Sequence, residues 1–312
     1  MKEKVILLKE NNLLFFVDYF FLFCYYFFIG DSMDVYDYSY VRKVFCHFLS
    51  DRCFSYLSVN DEKTAVCKIF DPGHIETRIE EDCDLEDLVL NGSGLVKSPD
   101  IIVPNAVVYN NCKFAGYLMS YFDGKSLREY SKRNFLELDV ISDIYRKIEK
   151  VIRDSDNIVF PDLLTDGNIL INDNHDIKFV DFDGFQVDDF FSLFFSIYLG
   201  QREKYDGTKY KEGNYFTKQL DIKSLVYLYI WMLFGVDMDY IDRYEGSSQK
   251  KIIDMFIKDF DIQDDNLVHC ITSLYDDNEN IYLGNFIDSI SDNFNLCVVE
   301  EKGIRVKKLI RK

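Results

Sequence analysis

The first half of the chain alternates apolar and polar positions in a way that predicts short β-strands separated by polar turns. Residues 44–49, 54–59 and 64–70 are rich in Phe, Val, Tyr and Ile, and a turn of Asn, Asp, Glu and Lys separates the last two. Residues 101–121 predict two further strands around the pair Asn110-Asn111. Between these groups, residues 75–90 have apolar positions at helical spacing and predict one long amphipathic helix.

The second half has mostly helical patterns. Residues 127–154 carry apolar side chains at helical spacing, and residues 220–235 are apolar on nearly all sides, which is typical of a buried helix. Further helices are predicted within residues 250–260, 266–275 and 281–294. Residues 168–172 and 176–180 are two short apolar runs around an Asn/Asp turn, and they predict a β-hairpin. The chain is therefore expected to be α+β.

Composition indicates a folded protein and argues against nucleic acid as a partner. Of 312 residues, 48% are hydrophobic and 29% are charged, with a formal net charge of −18. An acidic surface repels phosphate backbones, so nucleic-acid binding is not expected. The eight cysteines show no C-x-x-C pair and no zinc spacing with the four histidines. They predict buried thiols in a reducing compartment, and hence a cytoplasmic protein.

Residues 1–32 are a hydrophobic leader that differs from the rest of the chain. Residues 13–29 are aromatic and apolar but contain Asp18, and a charge within the hydrocarbon core of a membrane is costly. We expect the leader to be peripheral to the fold or untranslated, with initiation at Met33. The alternative is a membrane anchor formed by residues 13–29.

The strongest candidate chemistry lies around the predicted hairpin. Asp162 precedes its first strand, Asn168 begins that strand, and Asp181 follows the second. A hairpin that brings two carboxylates and a carboxamide to one end can collect oxygen ligands around Mg²⁺.

The string PDLLTDGNILI…IKFVDFDG resembles the catalytic and metal-binding loops of the protein-kinase-like superfamily. The resemblance implies that Asp162 is the catalytic aspartate and that Asn168 and Asp181 bind the metal. Three features depart from the motif: Phe160-Pro161 replaces His-Arg, Asp183 replaces Gly, and the spacing from Asp162 to Asn168 is one residue longer. The implied fold is bilobal, with a small antiparallel β-rich lobe over residues 33–122, containing the one long helix, and a larger, mainly helical lobe over 123–312.

The same resemblance implies ATP and Mg²⁺ as cofactors and assigns further residues. Lys68 stands in a strand similar to V-A-I-K and would hold the phosphates, with Glu86, or else Glu80 or Glu81, as its partner. The phosphate loop expected at residues 49–55 contains no glycine, so the side chains of Ser50, Ser55 and Arg52 are candidates to contact the phosphates in its place. Asp221 would bond backbone amides of the catalytic loop, although it could equally be a plain helix cap. The adenine is expected against the hinge and one hairpin residue: Met119, Ser120, Tyr121, Phe122 and Leu170.

Three functions remain open from the sequence. The chain is an ATP- and Mg²⁺-dependent phosphotransferase acting on protein Ser or Thr, or a small-molecule kinase similar to antibiotic and sugar kinases, or a nucleotide-binding pseudokinase scaffold. The missing glycines, Pro161 and Asp183 motivate the last. Retention of Lys68 and of the three oxygen-bearing residues favours an enzyme.

Overall fold

The structure is a computed structural model that describes most of residues 33–234 and a C-terminal hairpin. The fold is α+β, and the chain divides into two compact units. One unit contains the described residues up to Asp71 together with Asn105–Leu118, and the other contains Pro72–Pro104 and the described residues from Met119 onward. The described residues are 33–52, 55–80, 84–133, 136–163, 167–192, 211–213, 215–234, 294–301 and 304–311, with single positions at 254, 257, 258, 265, 268 and 290.

The first unit is built on a six-stranded sheet of order β1-β5-β6-β4-β3-β2. Helix α1, Tyr38–Val44, begins at an Asp37 cap and buries Val41 in a core shared with Cys67, Ile69 and Val108. The β2-β3 and β3-β4 pairs are antiparallel as expected, whereas β1, a strand that the sequence did not indicate, is parallel to β5. The strands are β1 Asp34–Asp37, β2 His47–Arg52, β3 Ser55–Val59, β4 Ala65–Phe70, β5 Pro104–Asn110 and β6 Lys113–Ser120.

The helix expected over residues 75–90 is not continuous, so the prediction of one long helix is wrong. Helix α2 spans Pro72–Glu80, and a short α3, Leu85–Asp87, leads into a π-helical turn, Leu88–Gly92. Asp84 accepts the backbone N–H groups of Glu86 and Asp87 at 2.8 and 3.3 Å. A side chain that accepts these N–H groups caps the N-terminus of a new helix. The acidic residues that precede Asp84 in the sequence also disfavour one continuous helix, because like charges on a helix face repel each other.

The segment after β4 belongs to the second unit. Ile101 forms a bridge with Phe179, whose N–H donates to the Asp100 carbonyl at 2.8 Å. Leu88 is buried in the core of the same unit. The predicted boundary at residue 122 therefore differs from the observed division, because these contacts make residues 72–104 part of the second unit.

The second unit is mainly helical, with small hairpins. The region predicted as helical over residues 127–154 forms two helices, and the buried helix predicted over 220–235 is α6. Helix α6 buries side chains around its circumference, including Leu220, Ser224 and Tyr229. The helices are α4 Leu127–Arg133, α5 Leu138–Asp154 and α6 Lys218–Phe234.

The predicted hairpin is present. Strands β9, Ile169–Ile171, and β10, Ile177–Phe179, pair antiparallel, and β7, Lys125–Ser126, adds a third strand beside β9. Four shorter strands form two further pairs: β8 Ile158–Val159 with β11 Gln186–Val187, and β12 Lys211–Glu212 with β13 Tyr215–Phe216.

The C-terminal region forms a hairpin that the sequence did not indicate. Strand β14, Phe294–Glu301, pairs antiparallel with β15, Ile304–Arg311. Apart from single positions, the helices predicted between residues 250 and 293 lie outside the described residues, as does the leader, 1–32. Within the described part of the chain, no helix is long and apolar enough to cross a membrane.

Candidate functional site

The loop that carries Asp162 is hydrogen-bonded to a side chain of helix α6. The backbone N–H of Phe160 donates to Oδ1 of Asp221 at 2.8 Å, and the N–H of Leu163 donates to the Phe160 carbonyl at 3.1 Å. Asp221 lies in the first turn of α6 and is fully buried. Its carboxylate therefore fixes the start of the loop two residues before Asp162.

Burial alters the acidity of this anchor. Desolvation raises the pKa of Asp221 to about 6, against opposing contributions from Lys218 and the Phe160 N–H. Lys218 Nζ donates to the other carboxylate oxygen at 3.1 Å and to the Ile152 carbonyl at 3.1 Å. The anchor is thus a hydrogen-bonded network that joins α5, α6 and the loop.

Asn168 contacts Asp162 through its side chain and the residue before Asp181 through its backbone. Its side chain is buried, and its Nδ2 donates to the Asp162 carbonyl at 2.8 Å and to carboxylate Oδ2 of Asp162 at 3.3 Å. Oδ1 of Asn168 is buried and has no hydrogen-bond partner among the described residues. A buried acceptor left in this state is rare in folded proteins.

Asp181 lies two residues after the end of β10, and its neighbour Val180 is hydrogen-bonded to the backbone of Asn168. The Val180 N–H donates to the Asn168 carbonyl at 3.0 Å. Asp181 itself has φ +76°, in the left-handed region, and the Gly184 N–H closes a 3₁₀ turn onto its carbonyl at 2.9 Å. Left-handed backbone at a non-glycine residue costs energy and concentrates at functional sites.

The turn after Asp181 is anchored by an arginine that sequence reasoning missed. Arg78, on α2, is buried, and its Nη2 donates to the Asp183 carbonyl at 3.2 Å. Ser192 Oγ donates to the Gly184 carbonyl at 2.8 Å. The signal for Arg78 was its position three residues after Ile75, which places a cation on the apolar face of the helix.

Aromatic side chains support the loop where the kinase-like motif usually has His. The ring of Phe160 lies 4.9 Å from that of Phe179 and 4.9 Å from that of Phe185, measured between centroids. Phe182 contacts Phe185 at 6.0 Å. The ring of Phe160 is therefore packed within a buried aromatic cluster.

The residues expected to contact the adenine lie at the end of β6, in the segment before β7 and, for Leu170, on β9. Met119 is buried near the end of β6, and Ser120 is its exposed last residue. Tyr121 and Phe122 are half-buried and lead into β7, where Ser126 pairs with Leu170.

Glu86 is half-buried on α3. Burial, with the neighbouring charges of Asp84 and Asp87, raises its pKa to about 7. The carboxyl group of Glu86 therefore takes up a proton closer to neutral pH than an exposed glutamate does. Of the other two candidates, Glu80 is the last residue of α2, and Glu81 lies outside the described residues.

The first unit carries Lys68 and Ser50. Lys68 is buried on β4, with its Nζ 5.3 Å from the centre of the Phe70 ring. Ser50 pairs with Leu57, which in turn pairs with Lys68, so the three residues form one row across β2, β3 and β4. Residues 49–52, predicted as part of a loop, belong to strand β2, so that part of the loop prediction is wrong.

Comparison with known proteins gives likenesses among solved structures but no matching family model. No protein-family model matches the chain, and no curated protein matches it. A solved structure with a similar fold is that of the Cydia pomonella granulovirus kinase PK-1, at 18% sequence identity and a TM-score of 0.44. The match covers 69% of this chain and 81% of that chain.

Proposed function

We propose that this protein is a phosphotransferase of the protein-kinase-like superfamily, which transfers the γ-phosphate of ATP to a hydroxyl group of protein Ser or Thr with Mg²⁺ as cofactor. The observation that supports this most is the buried Oδ1 of Asn168, which has no hydrogen-bond partner among the described residues. A buried polar atom without a partner costs about 1–3 kcal/mol, and a bound cation would recover that cost. Carboxylate and carboxamide oxygens are ligands that Mg²⁺ prefers, so the residues fit the ion.

Each residue has a role in this proposal. Asn168 and Asp181 hold Mg²⁺, which supplies positive charge to neutralise the phosphate oxygens. Asp162 orients the acceptor hydroxyl and takes its proton, and the Asn168 amide keeps that carboxylate in place through its hydrogen bond. By the resemblance, Lys68 holds the α- and β-phosphates, with Glu86 assigned as its partner. Catalysis of this kind consists mainly of positioning and charge stabilisation.

Metal-dependent nucleotide binding is the first test. Thermal unfolding of the full chain is measured with ATP, with and without Mg²⁺, for the wild type, Asp181→Asn and Asp173→Asn. Asp173 is the matched control, because it lies in the turn between β9 and β10 with a side chain 91% exposed. At a ligand concentration of about 100 Kd we expect a rise of about 4 °C in the wild type and the control. An equal Mg²⁺-dependent rise in Asp181→Asn would contradict the metal assignment.

Assays of phosphate transfer distinguish a protein kinase, a small-molecule kinase and a scaffold, which ATP binding alone does not. We expect Asp162→Asn to bind ATP like the wild type but to lose transfer, because the carboxamide cannot accept the hydroxyl proton. Transfer to generic protein substrates supports the proposed acceptor. Transfer confined to aminoglycosides or sugars would identify a small-molecule kinase, and nucleotide binding without turnover would identify a scaffold.

A further inference from the structure

Three side chains of different chemistry meet at one end of the six-stranded sheet in the first unit. Cys46 and His47 are consecutive at the start of β2, and Asp61 lies in the turn between β3 and β4. The β2-β3 register pairs His47 with Val59, which brings the start of β2 beside that turn. Sequence spacing did not indicate this cluster, because strand pairing rather than a local motif brings the residues together.

The turn that carries Asp61 is held by several hydrogen bonds. Oδ1 of Asn60 accepts the backbone N–H groups of Thr64 and Ala65 at 2.9 and 3.0 Å. The Lys63 N–H donates to the Asn60 carbonyl at 3.0 Å. The backbone on which Asp61 stands is therefore well defined, and ordering it adds little to the cost of binding a ligand.

The ligand atoms of the three residues lie within 4.8 Å of one another. Oδ1 of Asp61 is 3.1 Å from Sγ of Cys46 and 2.7 Å from Nε2 of His47. Around a tetrahedral zinc ion, normal bond lengths place sulfur and oxygen about 3.6 Å apart and nitrogen and oxygen about 3.4 Å apart. Each separation must therefore widen by about half an ångström or slightly more, which exposed side chains achieve by small rotations. The side chains of His47 and Asp61 are 60% and 77% exposed.

We propose that Cys46, His47 and Asp61 bind one zinc ion, with water in the fourth position. Thiolate, imidazole and carboxylate together suit zinc, whereas Mg²⁺ and Ca²⁺ select oxygen ligands. On binding, the Cys46 thiol gives its proton to solvent and its sulfur bonds the metal. The ion ties the edge strand β2 to the β3-β4 turn, and it is separate from the Mg²⁺ assigned to the second unit.

Cobalt(II) binding to the full, tag-free, reduced chain tests the proposal. Thiolate-to-cobalt charge-transfer absorption, with the visible bands of tetrahedral cobalt, should saturate at one equivalent and disappear when zinc is added. Cys46→Ser should abolish the charge-transfer band, and Asp61→Asn and His47→Asn should each weaken binding about tenfold or more. Cys112→Ser is the matched control, because Cys112 is another exposed free thiol of the same unit.

The melting midpoints and cobalt spectra of the variants distinguish zinc binding at this cluster from zinc binding elsewhere on the chain. Because the three ligands are exposed, we expect the variants to keep the wild-type melting midpoint without metal. Zinc should raise that midpoint in the wild type and in Cys112→Ser but not in Cys46→Ser. Unchanged cobalt spectra in Cys46→Ser, an equal loss in Cys112→Ser, or no tetrahedral spectrum in the wild type would each overturn the proposal.

Discussion

Replacement of Gly116 by Ala tests how closely β6 approaches the strand that carries Lys68. A Cβ at position 116 would overlap the carbonyl oxygen of Lys68 and would lie 3.0 Å from Cα of Ile69. These are backbone atoms, so no side-chain rotation can relieve the overlap, and β6 must move away from β4. Overpacking costs about 1–3 kcal/mol, and a weakened ladder hydrogen bond adds about 1 kcal/mol. We therefore expect a loss of about 2–4 kcal/mol in the free energy of unfolding of this unit.

The matched control is Gly94→Ala, because a Cβ at Gly94 would have no neighbour within 4 Å. Its effect should stay within about 0.5 kcal/mol. The only tryptophan, Trp231, lies in the second unit, so fluorescence does not report on β6 directly. Hydrogen exchange of peptides from β4 and β6 is the better assay. If Gly116→Ala exchanges there no faster than Gly94→Ala, the close approach of the two strands is wrong.

Three further predictions concern buried groups. The folded-state pKa of Asp221, about 6, lies above its ordinary value of 3.8, so the stability contributed by its protonated form declines as pH rises between these two values. Relative to Asp221→Asn, the wild type should lose on the order of 1–2 kcal/mol between pH 5 and 7.5 in urea unfolding, and parallel pH curves would contradict this. Burial raises the pKa of Cys67 to about 12, so iodoacetamide should label the exposed Cys112 and spare Cys67 in the native protein, as read by mass spectrometry; equal labelling would refute it. Phe160→Ala should cost about 3–5 kcal/mol, measured by Trp231 fluorescence in urea, because it empties the contact between two aromatic rings.

Elements specified by local sequence could be predicted well. The β9-β10 hairpin follows from Asn172, whose side chain accepts the N–H groups of Asn174 and Asp176 at 3.0 and 2.9 Å and so forms the turn itself. Helix α6 could be recognised because it is apolar on every side and needs no partner to be identified as buried. The positions of Asp162, Asn168 and Asp181 around the hairpin follow from the same local pattern.

Features that depend on distant residues could not be predicted. The parallel pairing of β1 joins Asp34 to Ala106, and nothing in the short acidic strand specifies its neighbour. Arg78 and Asp183 lie 105 residues apart, and an arginine on an amphipathic helix is most simply a solvated one. The break at Asp84 was missed because Ile75, Ile79, Leu85 and Leu88 were interpreted as one face of a single helix.

The departures from the kinase-like motif fall mainly on supporting positions. Phe160, in place of His, packs against Phe179 and Phe185, and its backbone N–H still reaches Asp221. Asp183, in place of Gly, is held by Arg78 through its backbone carbonyl, a contact that does not depend on its side chain. Asp162, Asn168 and Asp181 stand at the positions that the resemblance assigns to oxygen-bearing residues. Under the proposed function, the glycine-free segment 49–55 is the departure that bears most directly on ATP binding, because backbone amides approach phosphates most closely at glycine.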